Sequence, residues 1–380
     1  MSSVFEYFTS TWRHILQDKG AMLLLFGAGL VYSFFYPYPY SYEQVESVPT
    51  LVIDQDDSYS SRTLTRLLRA APNLDVIEID NDTNLISKRL WQGDIMAMVI
   101  IPKNFNNDLL AGRVPTVQLA SHGGYLLAGS KALASATQAT LTMGAVITLQ
   151  KTQSMGMPEQ AALDGLRPLQ LNSRSLFNTN DGYGHSIVPA VMVVIIQQTL
   201  LIGVTLLLGK LAELKQQPTG SKAYFGMLLV FFTIAFINTL YFFLVATRFQ
   251  AYSQIANTGT LLAFSAVFCI CISAFALLIS QAFKTRERGL QMLLITSVPM
   301  LFMSGYSWPA ESLPDTLYYL RWLLPTTSGI HGFVSINQLG ASLAEVSLEF
   351  ITLCVLALVF IGAGLMLFSS KSNTTEQHAP

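Results

Sequence analysis

Three carboxylates gather in Asp54-Gln55-Asp56-Asp57-Ser58, at the C-terminal end of a predicted strand. Acids in that position could act in catalysis or hold a divalent cation. The same residues also suit a polar strand-to-helix turn, with Ser58 as cap and the acids near the positive helix end. No second acidic or histidine cluster follows to complete a metal site. A second candidate, Gly124-Tyr125-Leu126-Leu127-Ala128-Gly129-Ser130-Lys131, falls between a strand and a helix, as a phosphate-binding loop would. Such a loop needs Gly-Lys-Ser/Thr, with the ammonium on the phosphates and the hydroxyl on magnesium. Here Ser130 precedes Lys131, so the two groups come in the wrong order. The histidines (His14, His122, His185, His331 and His378) lie in separate segments without ligand spacing. Cys269, Cys271 and Cys354 have no metal-type spacing either. Nothing resembles a nucleophile elbow or a paired-carboxylate site. We therefore expect a protein that is not an enzyme, with no nucleotide site, metal or cofactor of its own.

The surrounding elements are apolar. Of the 380 residues, 51% are hydrophobic and only 12% are charged, against about 25% charged in ordinary soluble domains. A net charge of −1 supplies no field that would recruit nucleic acid. Six apolar stretches, at about 20–38, 186–208, 223–246, 257–282, 289–304 and 345–368, approach the roughly 20 residues that a bilayer core demands. The sequence therefore predicts an α-helical polytopic membrane protein with six transmembrane helices. An α/β extracytoplasmic domain is inserted after the first. Lys and Arg cluster at one set of span ends: Arg13 and Lys19; Lys210, Lys215 and Lys222; Lys284, Arg286 and Arg288; Lys371. The opposite short loops hold Arg248 and Arg321. The basic side faces the cytoplasm. Both termini are then inside, and the insert is outside. The run Tyr36-Pro37-Tyr38-Pro39-Tyr40-Ser41-Tyr42 reads as an aromatic belt after an uncleaved anchor, since no small-x-small cleavage site follows.

Phe5, Phe8, Trp12 and Ile15 share one face of a helix in residues 1–19. That helix lies in the cytoplasmic interface or extends the first span (20–38). In the insert, 39–185, strands are expected at Val48–Asp54, Leu74–Ile79, Ile95–Ile101 and Pro115–Ala120. Helices are expected from Ser58 to Ala70, at Asn84–Gln92 and Asn106–Ala111, and from Leu126 to about Ser154. A last strand is placed at Leu169–Leu171, and the sheet is mixed. Residues 369–380 are expected to form a polar, disordered cytoplasmic tail.

Inside the spans the polar groups are amides and hydroxyls, among them Gln197, Gln198, Asn238 and Gln291. They line a substrate path or bond between helices. No Asp or Glu sits near a span centre, which argues against an ion-coupled carrier and for external energy input. The segment 304–330 is the most specific: Ser304-Gly305-Tyr306-Ser307-Trp308-Pro309, Leu313-Pro314, then Leu323-Leu324-Pro325. Its three prolines divide it into short pieces. Broken helices in the outer leaflet must be buried in protein or line a cavity. The other reading is an outside loop with aromatic anchors.

Four motifs together resemble the type-2 ABC exporter permease family: Phe34–Tyr40; Val52–Ser58 with Ser61-Arg62; Ile100–Phe105; and Ser304–Pro309 running through Pro325 to Asn337-Gln338-Leu339-Gly340-Ala341. The nearest subfamily carries a large periplasmic insert and is associated with membrane-fusion adaptors and multidrug-type efflux. The resemblance implies a homo- or heterodimer of permeases, each bound to a separate cytoplasmic ATP-binding-cassette ATPase. It further implies a periplasmic adaptor and an outer-membrane channel as partners, and a bacterial inner membrane as location. Residues 209–222, within 186–368, would act as the coupling helix and meet the ATPase through Lys210, Glu213 and Lys215. The outer gate would include Gly305, Trp308, Pro309, Pro314 and Pro325. A rival function is a membrane-anchored sensor or assembly protein whose outside domain binds a ligand or partner. The broken helices favour the permease.

Overall fold

A computed structural model of the chain describes residues 3–40, 45–78, 92–158, 182–252, 254–283 and 285–377, with the single positions 89 and 160. The chain divides into two compact units, Met1–Glu43 with Ser175–Pro380, and Gln44–Arg174. It is mostly helical. Among the described residues six helices are long and apolar enough to cross a membrane: Lys19–Tyr40, Leu127–Ser154, Tyr183–Glu213, Ser221–Phe249, Thr258–Ser280 and Ser347–Ser370. All but Leu127–Ser154 coincide with spans read from the sequence. The stretch expected at 289–304 is the helix Arg286–Met303, of 18 residues. Arg286, Glu287 and Arg288 occupy its first turn, which leaves too short an apolar run to qualify. Its length of about 27 Å still nearly matches a hydrocarbon core of about 30 Å.

Leu127–Ser154 is apolar for a different reason. Its Ala132, Ala136, Ala139 and Met143 are buried in one cluster with Val48, Val52, Ala97 and Val99 of the sheet. That sheet has four strands, β1 (Val48–Asp54), β2 (Leu74–Glu78), β3 (Ala97–Ile101) and β4 (Gln118–Ser121), in the order β2-β1-β3-β4. The β1 strand pairs in parallel with β2 and β3, while β3 and β4 are antiparallel. A mixed sheet results, as the strand and helix alternation predicts. The helix Tyr59–Arg69 connects β1 to β2 and buries Leu64 and Leu68. The expected helix at 84–92 and strand at 169–171 lie outside the described residues, apart from positions 89 and 92. The tail expected to be disordered from residue 369 instead continues the helix Ser347–Gln377.

In the other unit the helix Tyr183–Glu213 is the centre. Nearly all of it is buried, packed against Thr258–Ser280, Arg286–Met303 and the helix Pro325–Leu339. Phe333 holds the last of these in place. Its ring stacks on Phe243 at 4.4 Å and meets the edges of Phe264 and Phe268 at 5.0 and 5.2 Å. The neighbouring Gly332 lets Phe264 approach: a Cβ there would lie 2.0 Å from Phe264 Cζ.

The N-terminal helix, Val4–Gln17, opens with a capping box between Ser3 and Glu6. It packs on Ser221–Leu240, with Ile15 buried and Phe8 and Trp12 half-buried, while Phe5 stays exposed. The chain turns at Asp18 (φ −102°, ψ 103°) before the first span begins. It is therefore no straight extension of that span. The first span contains a π-helical turn at Leu23–Gly27, and Asn238 Nδ2 donates to the Leu25 carbonyl there at 2.7 Å. Wide turns of this kind loosen the regular ladder and free carbonyls for outside donors.

Candidate functional site

At the C-terminal end of the second span, three segments distant in sequence meet on one carboxylate. Asp18 Oδ2 accepts from Lys210 Nζ at 2.8 Å and Arg286 Nη1 at 3.2 Å. Its Oδ1 accepts from Arg286 Nη2 at 3.3 Å and the Ala21 N–H at 2.9 Å. The Asp18 side chain is 2% exposed, its partners about a third. Burial pushes the carboxyl up, but the Lys210 hydrogen bond, the Ala21 N–H and the two cations outweigh it and hold the group below the usual carboxylate range. Beside this cluster Glu213 Oε1 accepts from the Arg286 N–H at 3.0 Å, capping the helix Arg286–Met303.

Residues 209–222 form no helix of their own. Residues through Glu213 finish the second span, Lys215 takes a left-handed turn (φ 54°), and Gly220 leads into Ser221–Leu240. Lys210 and Glu213 are thus engaged within the chain, whereas Lys215 is exposed.

Midway along the second span, Gln197 and Gln198 are buried side by side. Each Nε2 donates to Met300 Sδ, at 3.6 and 3.3 Å. A thioether is a weak acceptor. Both Oε1 atoms lack a hydrogen-bond partner among the described residues, as do the buried hydroxyls of Ser265, Ser273, Thr327 and Ser328. Each such atom costs about 1–3 kcal/mol unless water or a ligand reaches it. The other two candidate path residues are elsewhere. Asn238 ties the third span to the first, and Gln291 is exposed on Arg286–Met303.

At the opposite end of the second span, Tyr306 Oη donates to the Ser186 carbonyl at 2.7 Å. Gly305 ends Arg286–Met303 in the left-handed region (φ 77°), where a Cβ would stand 2.8 Å from both Ala310 Cβ and Arg321 Nη1. Pro309 and Pro314 precede the short turn Ala310–Ser312 and the helix Asp315–Leu320. Pro325 does not break a helix: it occupies the first turn of Pro325–Leu339, where its missing N–H has no partner to lose. The broken stretch therefore ends at Leu324, and the second half of the expected segment 304–330 starts a 15-residue, largely buried helix. Trp308 is half-exposed. His331 Nε2–H donates to the Ser304 carbonyl at 2.9 Å and closes this end onto that helix.

A family model described as "ABC-2 family transporter protein" matches residues 21–366, most of the chain. The chain belongs to the ABC-2 transporter family. Membership in the ABC-2 family implies a permease component, a partner ATPase and a multi-pass place in a membrane, and it favours the permease over the sensor reading. No curated protein matches the chain significantly.

In this ABC-2 chain the acidic motif at 54–58 is structural. Asp54 Oδ1 accepts the Asp56 and Asp57 N–H groups, and Asp56 Oδ2 accepts the Asn106 N–H at 3.0 Å. Among the described residues no group of three metal-ligating side chains forms. Sequence reasoning missed Asp18 and the buried hydroxyls of Thr326, Thr327 and Ser328. An acid adjoining an apolar run was the available signal for Asp18. The hydroxyls carried none, because Ser and Thr suit exposed and buried helix faces alike.

Proposed function

We propose that the chain is the membrane-spanning permease subunit of an ATP-binding-cassette exporter, moving substrate outward with ATP hydrolysed by a separate cytoplasmic subunit. The unit Gln44–Arg174 would then be the periplasmic α/β domain, and both termini would lie in the cytoplasm of a bacterial inner membrane. Two permeases would pair, with a membrane-fusion adaptor and an outer-membrane channel continuing the route. The observation that carries this reading is the row of buried, under-bonded polar atoms on the second and fourth spans and on Pro325–Leu339. A packing-only bundle gains nothing from them, whereas a path needs groups that can pass from water to cargo.

Lys215 is the residue we assign to the ATPase surface, since Lys210 and Glu213 are already bonded to Asp18 and the Arg286 N–H. The Asp18–Lys210–Arg286 cluster would carry motion of the loop to the first span and to Arg286–Met303 together. Trp308, with Gly305, Pro309, Pro314 and Pro325 shaping the chain around it, would lie at the outer gate. Purification from the native membrane tests the whole reading. An ATP-binding-cassette ATPase should co-elute, and Lys215→Glu should weaken that association while leaving the permease abundant. Recovery of the chain without any ATPase would overturn it.

A further inference from the structure

Among the described residues, Arg321 is a buried cation without a counter-ion. The residue is 7% exposed, and its guanidinium stays charged at any physiological pH. Its Cζ lies 4.4 Å from the Tyr318 ring centroid and 5.1 Å from that of Trp322. Aromatic faces attract the charge, but they supply no lone pair to the in-plane N–H groups. Nε has no hydrogen-bond partner among the described residues, nor does Arg321 form an ion pair there. A charge taken out of water in this way calls for a partner with oxygen acceptors.

Two further observations indicate which partner. Arg321 lies next to the left-handed turn at Gly305, at the end of Arg286–Met303 remote from Asp18. Tyr306, Trp308, Tyr319 and Trp322 accompany it, side chains that favour the headgroup level of a bilayer. The adjoining short helix and turn also expose an apolar rim: Leu317, Leu320 and Leu323 are 38%, 43% and 58% exposed. A buried cation beside exposed leucines suits an amphipathic anion better than a free one.

We propose that Arg321 binds the phosphate of a phospholipid headgroup, whose acyl chain lies along Leu320 and Leu323. The site depends on neither the direction of transport nor the ATPase, so its failure would leave the permease reading intact. The planar fork matches two phosphate oxygens.

The delipidated full-length chain in maltoside micelles, followed by thermal unfolding, provides the test. Phosphatidylglycerol should stabilise it saturably, and diacylglycerol with the same acyl chains should not. Arg321→Gln should weaken the apparent affinity for phosphatidylglycerol about tenfold, the equivalent of roughly one charge-assisted hydrogen bond. Arg321→Lys should fall between. Leu323→Asn, at an exposed position that folding tolerates, should weaken phosphatidylglycerol but not inorganic phosphate. Equal titration of wild type and Arg321→Gln, or equal stabilisation by diacylglycerol, would overturn the proposal. Protection by inorganic phosphate with no effect of Leu323→Asn on phosphatidylglycerol would overturn the lipid assignment and leave the site to a free anion.

Discussion

Asp18 does three jobs with one carboxylate. It receives the Ala21 N–H as the cap of the first span, and it binds Lys210 and Arg286 from two other helices. Removing the charge leaves two cations side by side, each about one-third exposed. Solvent screening moderates the loss, so Asp18→Asn should destabilise the protein by about 1–2 kcal/mol. Thermal unfolding in detergent measures it. The pH dependence has a fixed sign. The folded carboxyl is held below its usual value, so its stabilisation is complete above an unfolded pKa of about 3.9. It is lost as pH falls through the lower folded value. The gap between wild type and Asp18→Asn should therefore be constant from pH 5 to 8 by order of magnitude and close only in stronger acid. A gap that closes near neutrality would assign the effect to another group. Gln197 and Gln198 behave oppositely. Replacing both with Leu removes unpaired carbonyls, and stability should hold or rise. A large loss of stability would mean that these amides are fully bonded in the membrane.

Pro325–Leu339 is the element whose packing is least forgiving. Phe333 stands among Phe243, Phe264 and Phe268, and its truncation to Ala should cost about 3–5 kcal/mol. Gly332→Ala places a methyl 2.0 Å from Phe264 Cζ. It should destabilise by roughly 1–3 kcal/mol, and Phe264→Leu should relieve part of that. Additive losses in the double variant would show that the helix moves away from Phe264 instead of pressing on it. The Gly305 turn has a comparable limit. A valine there would collide with Ala310 and Arg321, so reduced abundance is expected along with reduced export. Trp308→Ala, at a half-exposed site, is the cleaner probe of a gate.

For the whole molecule, the sidedness of the two ends is the decisive quantity. Ser121 and Gln216 are both exposed in their own units, so labelling of a cysteine at either reports the membrane and not burial. Ser121→Cys should react with an impermeant thiol reagent in intact spheroplasts, and Gln216→Cys should not. Reversed labelling would invert the topology. Leu141 settles whether Leu127–Ser154 spans the bilayer. It is 64% exposed, and Leu141→Cys should label with Ser121→Cys if the helix belongs wholly to the α/β unit. Protection of Leu141→Cys would place the helix in lipid. The chain purified alone should hydrolyse no ATP.

The sequence by itself determined the membrane class, five spans, the four strands and the long helix Leu126–Ser154, because these rest on local periodicity and hydropathy. Ser58 as a cap and Asp54–Asp57 as a polar turn were equally legible, since their partners lie within a few residues or one strand away. Tertiary structure decided everything that depended on approach. Leu127–Ser154 is apolar enough to pass as a span; the sequence reading put it in the insert, and its alanines pack there on the sheet. Proline spacing suggested a third break at Pro325, but the burial of the following residues turned that position into a helix start. Asn238 and Gln197 are similar amides at similar depth in their spans. One meets a carbonyl freed by a π-turn in the first span, and the other keeps an unpaired oxygen beside Met300. Nothing local separates them, because a side-chain amide has the same composition whether its partner is a neighbouring backbone or an absent one. Asp18 and Arg321 gained their character in the same way, one surrounded by cations and the other, among the described residues, set against aromatic rings without a counter-ion.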